Sequence, residues 1–125
     1  MGDTGFENHL LAYARLVDPC TATVVATSDA GRLVIAVSGS IDVQASATVA
    51  DQLGRMIGAG DHERVVLDLS GVEFCDCAGA RALLAVHELA EAAGIACTVE
   101  GPRPHIRWLL ELTGVAAVLG LTPQG

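Results

Sequence analysis

The chain has 125 residues, enough for one domain with a proper hydrophobic core. It carries 15 acidic and seven basic residues, every basic one an arginine, for a net charge of −8. With no basic cluster to neutralise phosphates, nucleic acid and anionic membrane surfaces are excluded as expected partners, and the acidity suits steering toward a basic patch on another protein.

The composition is 51% hydrophobic but only 3% aromatic. The core must therefore come from Val, Leu, Ile and Ala, with Phe6, Tyr13, Phe74 and Trp108 as the few large pieces. Mean hydropathy is +0.47, yet the longest uncharged run is the last fourteen residues. That run is broken by Gly114, Gly120 and Pro123 and falls short of the roughly 20 apolar residues of a membrane span. The opening MGDTGFENHL lacks the basic start and apolar stretch of a signal peptide. A cytoplasmic chain is the expectation, with its four cysteines as thiols rather than a disulfide framework.

Phe6, Leu10, Tyr13, Ala14 and Val17 recur at helical spacing and stop before Asp18 and Pro19, which predicts a short N-terminal helix within an extension over residues 1–20. TATVVATS (21–28) and RLVIAVSG (32–39) are rich in β-branched residues and flank the turn signal DAG, so they read as a hairpin. In the 41–60 stretch Asp42 or Ser46 is placed to cap a helix whose buried side is Val49, Leu53, Met56 and Ile57, ending at Gly58 and Gly60. RVVLDLSG (64–71) is a strand, and VEFCDC reads as the loop that follows it. Residues 78–93 predict the clearest helix, with Ala82, Leu83, Val86, Leu89, Ala90 and Ala93 on one side and Arg81, Leu84, His87, Glu88 and Glu91 on the other. IACTVEG (95–101) is a strand, and 104–114 a helix opened by Pro104 and closed by Gly114. Residues 115–121 are short and suit strand or helix equally.

This order, β-β-α-β-α-β-α and a tail, predicts a single α/β domain over 21–121 with a mixed, mostly parallel sheet of four to five strands and three to four helices. Residues 122–125 form the tail. The sequence contains no internal repeat, linker or low-complexity segment.

The stretch VEFCDCAGARALL (72–84) concentrates the chemistry. Cys75 to Arg81 fits C-x5-R, a spacing by which a thiolate and a guanidinium can share a phosphate ahead of a helix N-terminus. Three features oppose that cysteine-dependent phosphatase reading: the charge of Asp76 inside the cradle, Gly79 one place late, and Ala82 where a hydroxyl is usual. Cys75 and Cys77 supply two thiolates but no second Cys or His pair follows at zinc spacing, and His62, His87, Cys97 and His105 are scattered. Cys20 and Cys97 read as small buried hydrophobes in strands, and His87 as a solvated helix residue. No Ser-His-Asp set or Gly-rich phosphate loop is present. Neither metal nor cofactor is expected. Trp108 points away from Ile106, Leu109 and Leu110; it is either an interface anchor or packs on the N-terminal helix or the tail.

Three pieces in order over residues 21–121 resemble the STAS domain family, in particular bacterial anti-sigma factor antagonists. GSIDVQAS is similar to the family's segment before its first helix. VVLDLSGVEFCDCAGARALL resembles its strand, Asp-Ser-Ser/Thr-Gly loop and helix, and RPHIRWLLELTGVAAVLGL its closing helix. The resemblance implies a non-enzymatic protein that binds an anti-sigma factor, often a serine kinase, and so frees a sigma factor for transcription in a stress response. It also implies that the residue directly after the loop Asp is the phosphoacceptor whose modification breaks the complex. On this chain Asp76 matches the Asp, Cys77 the phosphoacceptor, Ala78 the second hydroxyl residue and Gly79 the Gly. The switch position therefore holds a thiol, and no hydroxyl remains in the loop.

The expected partner surface joins Ser40, Ile41 and Asp42 at a strand end to the Asp76–Gly79 loop and to Arg81, Leu84 and Glu88 on the outer stripe of the next helix. A scaffold or regulatory subunit of a stress-signalling assembly is the alternative within the fold, and a monomer or weak homodimer the expected state. A secondary redox role would use Cys75, Cys77 and Cys97; a bond of either loop thiol to Cys97 requires Cα atoms within about 7 Å.

Overall fold

The computed structural model describes residues 22–60 and 62–121. The helix expected over 4–17, Cys20 and the tail 122–125 lie outside them. Four strands and four helices follow in chain order: β1 (Ala22–Asp29), β2 (Arg32–Ile41), α1 (Ser46–Gly58), β3 (Arg64–Cys75), α2 (Cys77–Ala92), β4 (Ala96–Glu100), α3 (Pro104–Leu112) and α4 (Val115–Val118). The sheet order is β1-β2-β3-β4. β1 and β2 form the antiparallel hairpin, from Ala22 opposite Gly39 to Asp29 opposite Arg32. The β2–β3 and β3–β4 pairs are parallel, and α1 and α2 supply the crossover connections that parallel neighbours require. The mixed sheet and the α/β class match the sequence reading. Within the 115–121 segment, Val115–Val118 is a short helix, with Gly114 entering it at φ 81°.

Strict alternation puts one sheet face into the core. Ala22, Val24 and Ala26, then Leu33, Ile35 and Val37, then Val65, Leu67 and Leu69, then Cys97 and Val99 are all buried. One cluster joins that face to Val49, Leu53, Met56 and Ile57 of α1, to Leu83, Val86 and Ala90 of α2, and to Ile106 and Leu110 of α3. Val115 and Ala116 of α4 complete it. Every described helix thus packs on the same side, and burying these branched side chains, at about 1.5–3 kcal/mol each, supplies the main drive for folding.

α2 is turned on its axis relative to the reading from its sequence. Leu89 is 51% exposed instead of buried; it lines an open groove beside α1 with Ala50, Asp51, Ala85 and Val86. Leu84 is half-buried and packs against the core cluster instead of standing among the charges. His87, expected in solvent, has a side chain only 11% exposed, with Nε2 3.7 Å from Glu91 Oε2. A helix packed on two sides, by the sheet and by α1, buries a wider arc than a wheel with one apolar stripe assumes.

The larger difference is in β3. It runs twelve residues, to Cys75, and absorbs what the sequence suggests is a loop. β4 covers only its first part, the last pair being Asp68 with Glu100. Beyond that point β3 pairs with β2 alone, and the register shifts twice, between Ala36 and Ser38 and between Gly39 and Ser40. Gly71 permits the first of these close passages: a Cβ there would stand 2.7 Å from Ser38 Cβ. The open edge is closed by the segment leading into α3. Arg103 Nε donates to Ser70 O at 3.0 Å, and His105 Nε2 donates to Glu73 O at 2.6 Å. These side chains replace the missing strand as partners for carbonyls that would otherwise be left open.

Candidate functional site

The site is built where β2 and β3 end side by side. Because they are parallel, the turn after Ile41 and the single residue after Cys75 come out at the same edge of the sheet. Asp42 organises the first turn: its carboxylate accepts from Gln44 N at 3.1 Å and Ala45 N at 2.9 Å, one turn before α1. Ser46 makes no cap; its hydroxyl donates to Val43 O at 3.3 Å.

Asp76 organises the second turn. It is the N-cap of α2, extended at φ −105°, ψ −171°, and its carboxylate accepts from Gly79 N at 2.9 Å. That bond satisfies one of the amides a helix leaves open at its start. Its own amide reaches across to Ile41 O at 3.4 Å, which ties the two turns together. Gly79 is required by space. A Cβ at this position would press into Ile41 O and stand 2.8 Å from Cys75 Sγ. The first turn of α2 can therefore seat on the end of β2 only with a hydrogen in that place.

The two thiols on either side of Asp76 have opposite environments. Cys75 is buried beneath Gly79, its Sγ donating to Asp76 O at 3.5 Å. Burial, reinforced by the charge of Asp76 and then by Cys77, pushes its pKa up to about 11. Cys77 is the first residue of α2, with an exposed side chain.

The second register shift of β3 decides which side chains face out here. Two-residue alternation would send Phe74 to the core side with Val72 and Cys75 outward. The shift between Gly39 and Ser40 reverses that parity, so Cys75 is buried and Phe74, opposite Ser40, is 50% exposed. Val43 in the neighbouring turn is 69% exposed. Sequence reasoning missed both as surface residues: Gly39 and Gly71, which flank the irregular ladder, lie far apart in the sequence and come together only in the folded sheet.

The structure brings Ser40, Asp42, Asp76, Cys77, Ala78 and Gly79 to this end. Ser40 is half-buried, and Ile41 is fully buried, so of Ile41 only the backbone takes part. Arg81 is exposed on α2, where it lines a shallow 280 Å³ hollow with Ser46, Ala47, Ala50, Ala78 and Ala82. Glu88 is exposed further along, while Leu84 turns partly to the core.

The geometry also disposes of two expectations. Cys77 through Arg81 are already helix, so the C-x5-R spacing forms no loop around an anion, and Cys75 is a buried thiol with a raised pKa rather than a ready thiolate. Cys97 pairs in register with Val65, ten residues before Cys75 on the same strand. At the rise of a parallel strand that is about 30 Å, far beyond disulfide reach. Cys97 is a free, buried thiol, its pKa raised to about 11 by burial and then Glu91. Among the described residues no group of three or more His, Cys, Asp or Glu side chains could hold a metal ion, and no helix is long and apolar enough to cross a membrane.

A model of the STAS domain matches residues 22–124. The chain belongs to the STAS domain family. Among solved structures, an anti-sigma factor antagonist from Mycobacterium paratuberculosis is 29% identical, with a TM-score of 0.67, over 87% of this chain and 92% of that one. The unphosphorylated form of the anti-sigma factor antagonist SpoIIAA superposes with a TM-score of 0.63 at 16% identity, over 81% of this chain and 100% of its own. The murine anion transporter Slc26a9, in its inward-facing state, contains the same fold at 16% identity and a TM-score of 0.68, over 88% of this chain but only 21% of the transporter. The STAS architecture is thus shared by free-standing and built-in domains, and the residues of the Asp76 turn must carry the functional argument for this one.

Proposed function

We propose that this STAS domain is an anti-sigma factor antagonist that does not respond to serine phosphorylation. The observation that carries the reading is the Asp76 turn. An Asp cap, a first helical residue with an exposed side chain and a glycine required by contact with β2 stand together at the sheet end. The 29% identical structure of an anti-sigma factor antagonist, matched over nearly its whole length, supports the same role.

In this reading the partner is an anti-sigma factor, which docks on the end formed by Ser40, Asp42, Val43, Phe74 and Cys77 and on Arg81 and Glu88 of α2. Capture of the anti-sigma factor leaves its sigma factor free for transcription. Phe74 and Val43 supply apolar contact at the centre, and the charged helix positions form the rim. No chemistry is performed; the domain works by occupying its partner.

A phosphoryl group would add about −1.5 to −2 charges at the docking centre and break such a contact. Cys77 has no hydroxyl to receive one, and its thiol is close to serine in size. The protein therefore stays in its binding form, with control shifted to its abundance or to the partner. The test is to mix the purified chain with each anti-sigma factor of the same cell, with and without ATP, and score complexes by size-exclusion chromatography and intact mass. A stable complex unaffected by ATP is expected, and Cys77→Ser should make the complex ATP-sensitive if that partner is a serine kinase. Stoichiometric phosphorylation of the wild-type chain with release of the partner would overturn the switch assignment. Absence of a complex with every anti-sigma factor would overturn the role itself.

A further inference from the structure

The sheet has a second face. All four described helices join the cluster on one side of it, which leaves Val25, Val34, Ala36 and Val66 on the other. Val34 pairs with Val66 and Val25 with Ala36 in the ladder, so they form one compact apolar group. No described element covers it. Like charges stand in register on either side of the Val34–Val66 row. Two residues before it Arg32 is opposite Arg64, and two residues after it Asp68 is opposite Glu100. Asp68 is half-buried and the other three are exposed. Among the described residues none of the four makes an ion pair. Like charges side by side on a sheet are unfavourable unless opposite charge meets them.

We infer that a second copy of the chain docks on this face, sheet against sheet with strands antiparallel, about a two-fold axis along the Val34–Val66 row. The face is complementary to itself in that arrangement, as a two-fold interface must be. Val66 meets the second copy's Val66, and Val34 its Val34. Arg64, two residues before the axis, comes over the second copy's Asp68, and by symmetry Asp68 comes over its Arg64. Glu100, on the strand beside Asp68, lies diagonally across from the same guanidinium. Sheets packed face to face stand about 10 Å apart, a gap that facing valines fill and an Arg–Asp pair spans. Charge selects this orientation: with the strands parallel, the arginines of both copies would meet at one end. A chain of net charge −8 resists self-association elsewhere on its surface, whereas here both signs are present. The face measures roughly 400 Å² per copy from its strand spacing and length, small for a specific interface, so the dimer forms reversibly with concentration. Antiparallel docking leaves the two Asp76 turns at opposite ends of the dimer, both open to a partner.

The experiment is sedimentation velocity on the full chain over a loading series from low micromolar to near-millimolar concentration. The wild type is expected to pass from monomer to dimer. In the symmetric dimer Arg64→Glu sets carboxylate against carboxylate at both contacts, and Asp68→Arg sets guanidinium against guanidinium. Each variant alone should therefore dimerise at least tenfold more weakly. Mixed in equal amounts the two should dimerise again, because the mixed pair has opposite charges at both contacts. Asp68 also accepts from Ser70 N at 2.9 Å, so a variant that leaves this bond intact is needed in case Asp68→Arg does not fold. Thr98→Glu, an exposed position in the Val66 row, brings two carboxylates together on the axis and should leave a monomer. A wild-type chain that stays monomeric at every concentration would overturn the inference, whether its own chain or another protein covers the face. So would a dimer that survives both Arg64→Glu and Thr98→Glu, or folded charge variants that stay monomeric when mixed. The measurement involves no anti-sigma factor, so its outcome is independent of that reading.

Discussion

The two halves of β3 are built by different rules. From Arg64 to Asp68 the strand is bonded on both sides, to β2 and β4, and its register is regular. From Leu69 to Cys75 it has one strand neighbour, two register shifts, and side chains of Arg103 and His105 in place of the other. Both halves reach into the core, through Val65 and Leu67 in the first and Leu69, Val72 and Cys75 in the second, but only the irregular half carries the candidate site. A ladder bonded on both sides fixes which face every residue takes, since a one-residue slip would move valines into water. Where one neighbour is missing, an extra residue can be accommodated, and each shift re-aims the side chains that follow. That is how Phe74 reaches the surface and Cys75 the interior.

The largest expected effect that would break this comparison is at Gly79. Gly79→Ala places a methyl against Ile41 O and Cys75 Sγ, so the first turn of α2 must lift from β2. A loss of about 3 kcal/mol is expected in urea unfolding, with partner binding lost as well. A stability equal to wild type would mean the two turns are not in contact. Phe74→Ala should separate site from scaffold: folding free energy within about 0.5 kcal/mol of wild type, but partner affinity down by about tenfold or more in calorimetric titration. If stability falls by several kcal/mol instead, Phe74 belongs to the core and the second register shift is misplaced.

Asp76→Ala removes the side-chain cap on Gly79 N and should cost about 1 kcal/mol, readable as a lower urea midpoint at unchanged slope. The smallest effect concerns the thiols. Cys75 and Cys97 have pKa values raised from 9.0 to about 11 in the fold. Above about pH 9 the unfolded chain loses protons that the native chain keeps, so these two groups make stability fall as pH rises from about 9 to 11. Below pH 9 both states hold the protons and the contribution is constant. Alkylation by iodoacetamide at pH 8 should accordingly label Cys77 well before Cys75 or Cys97. Equal labelling of Cys75 would show that the Asp76 turn opens.

What the sequence made legible follows the same division. Alternating Val and Ile residues place the strands, and Val49, Leu53, Met56 and Ile57 mark the buried side of α1, because a single hydrophobic period carries each of these readings. Pro104 and Gly114 bounded α3 through backbone restrictions that need no tertiary context. The turn residues Asp76 and Gly79 could be located but their work could not be read, since the reason for Gly79 is a contact with Ile41, 38 positions earlier. Leu84, Leu89 and His87 were assigned to the wrong surroundings because the second neighbour of α2, the helix α1, is set by the way the chain folds back. Phe74 was hidden by a register shift that no local pattern announces.

Trp108 is the chain's single tryptophan, 62% exposed on α3, three residues after the histidine that holds Glu73 O. Its fluorescence is therefore a built-in optical gauge of the segment that closes the open edge of β3. Emission should be characteristic of an indole in water and readily quenched by acrylamide. A partner that seats only on the Asp76 end should leave the spectrum unchanged, and one that spreads across to α3 should shift it to the blue, so the footprint of a bound protein can be followed without attaching any dye.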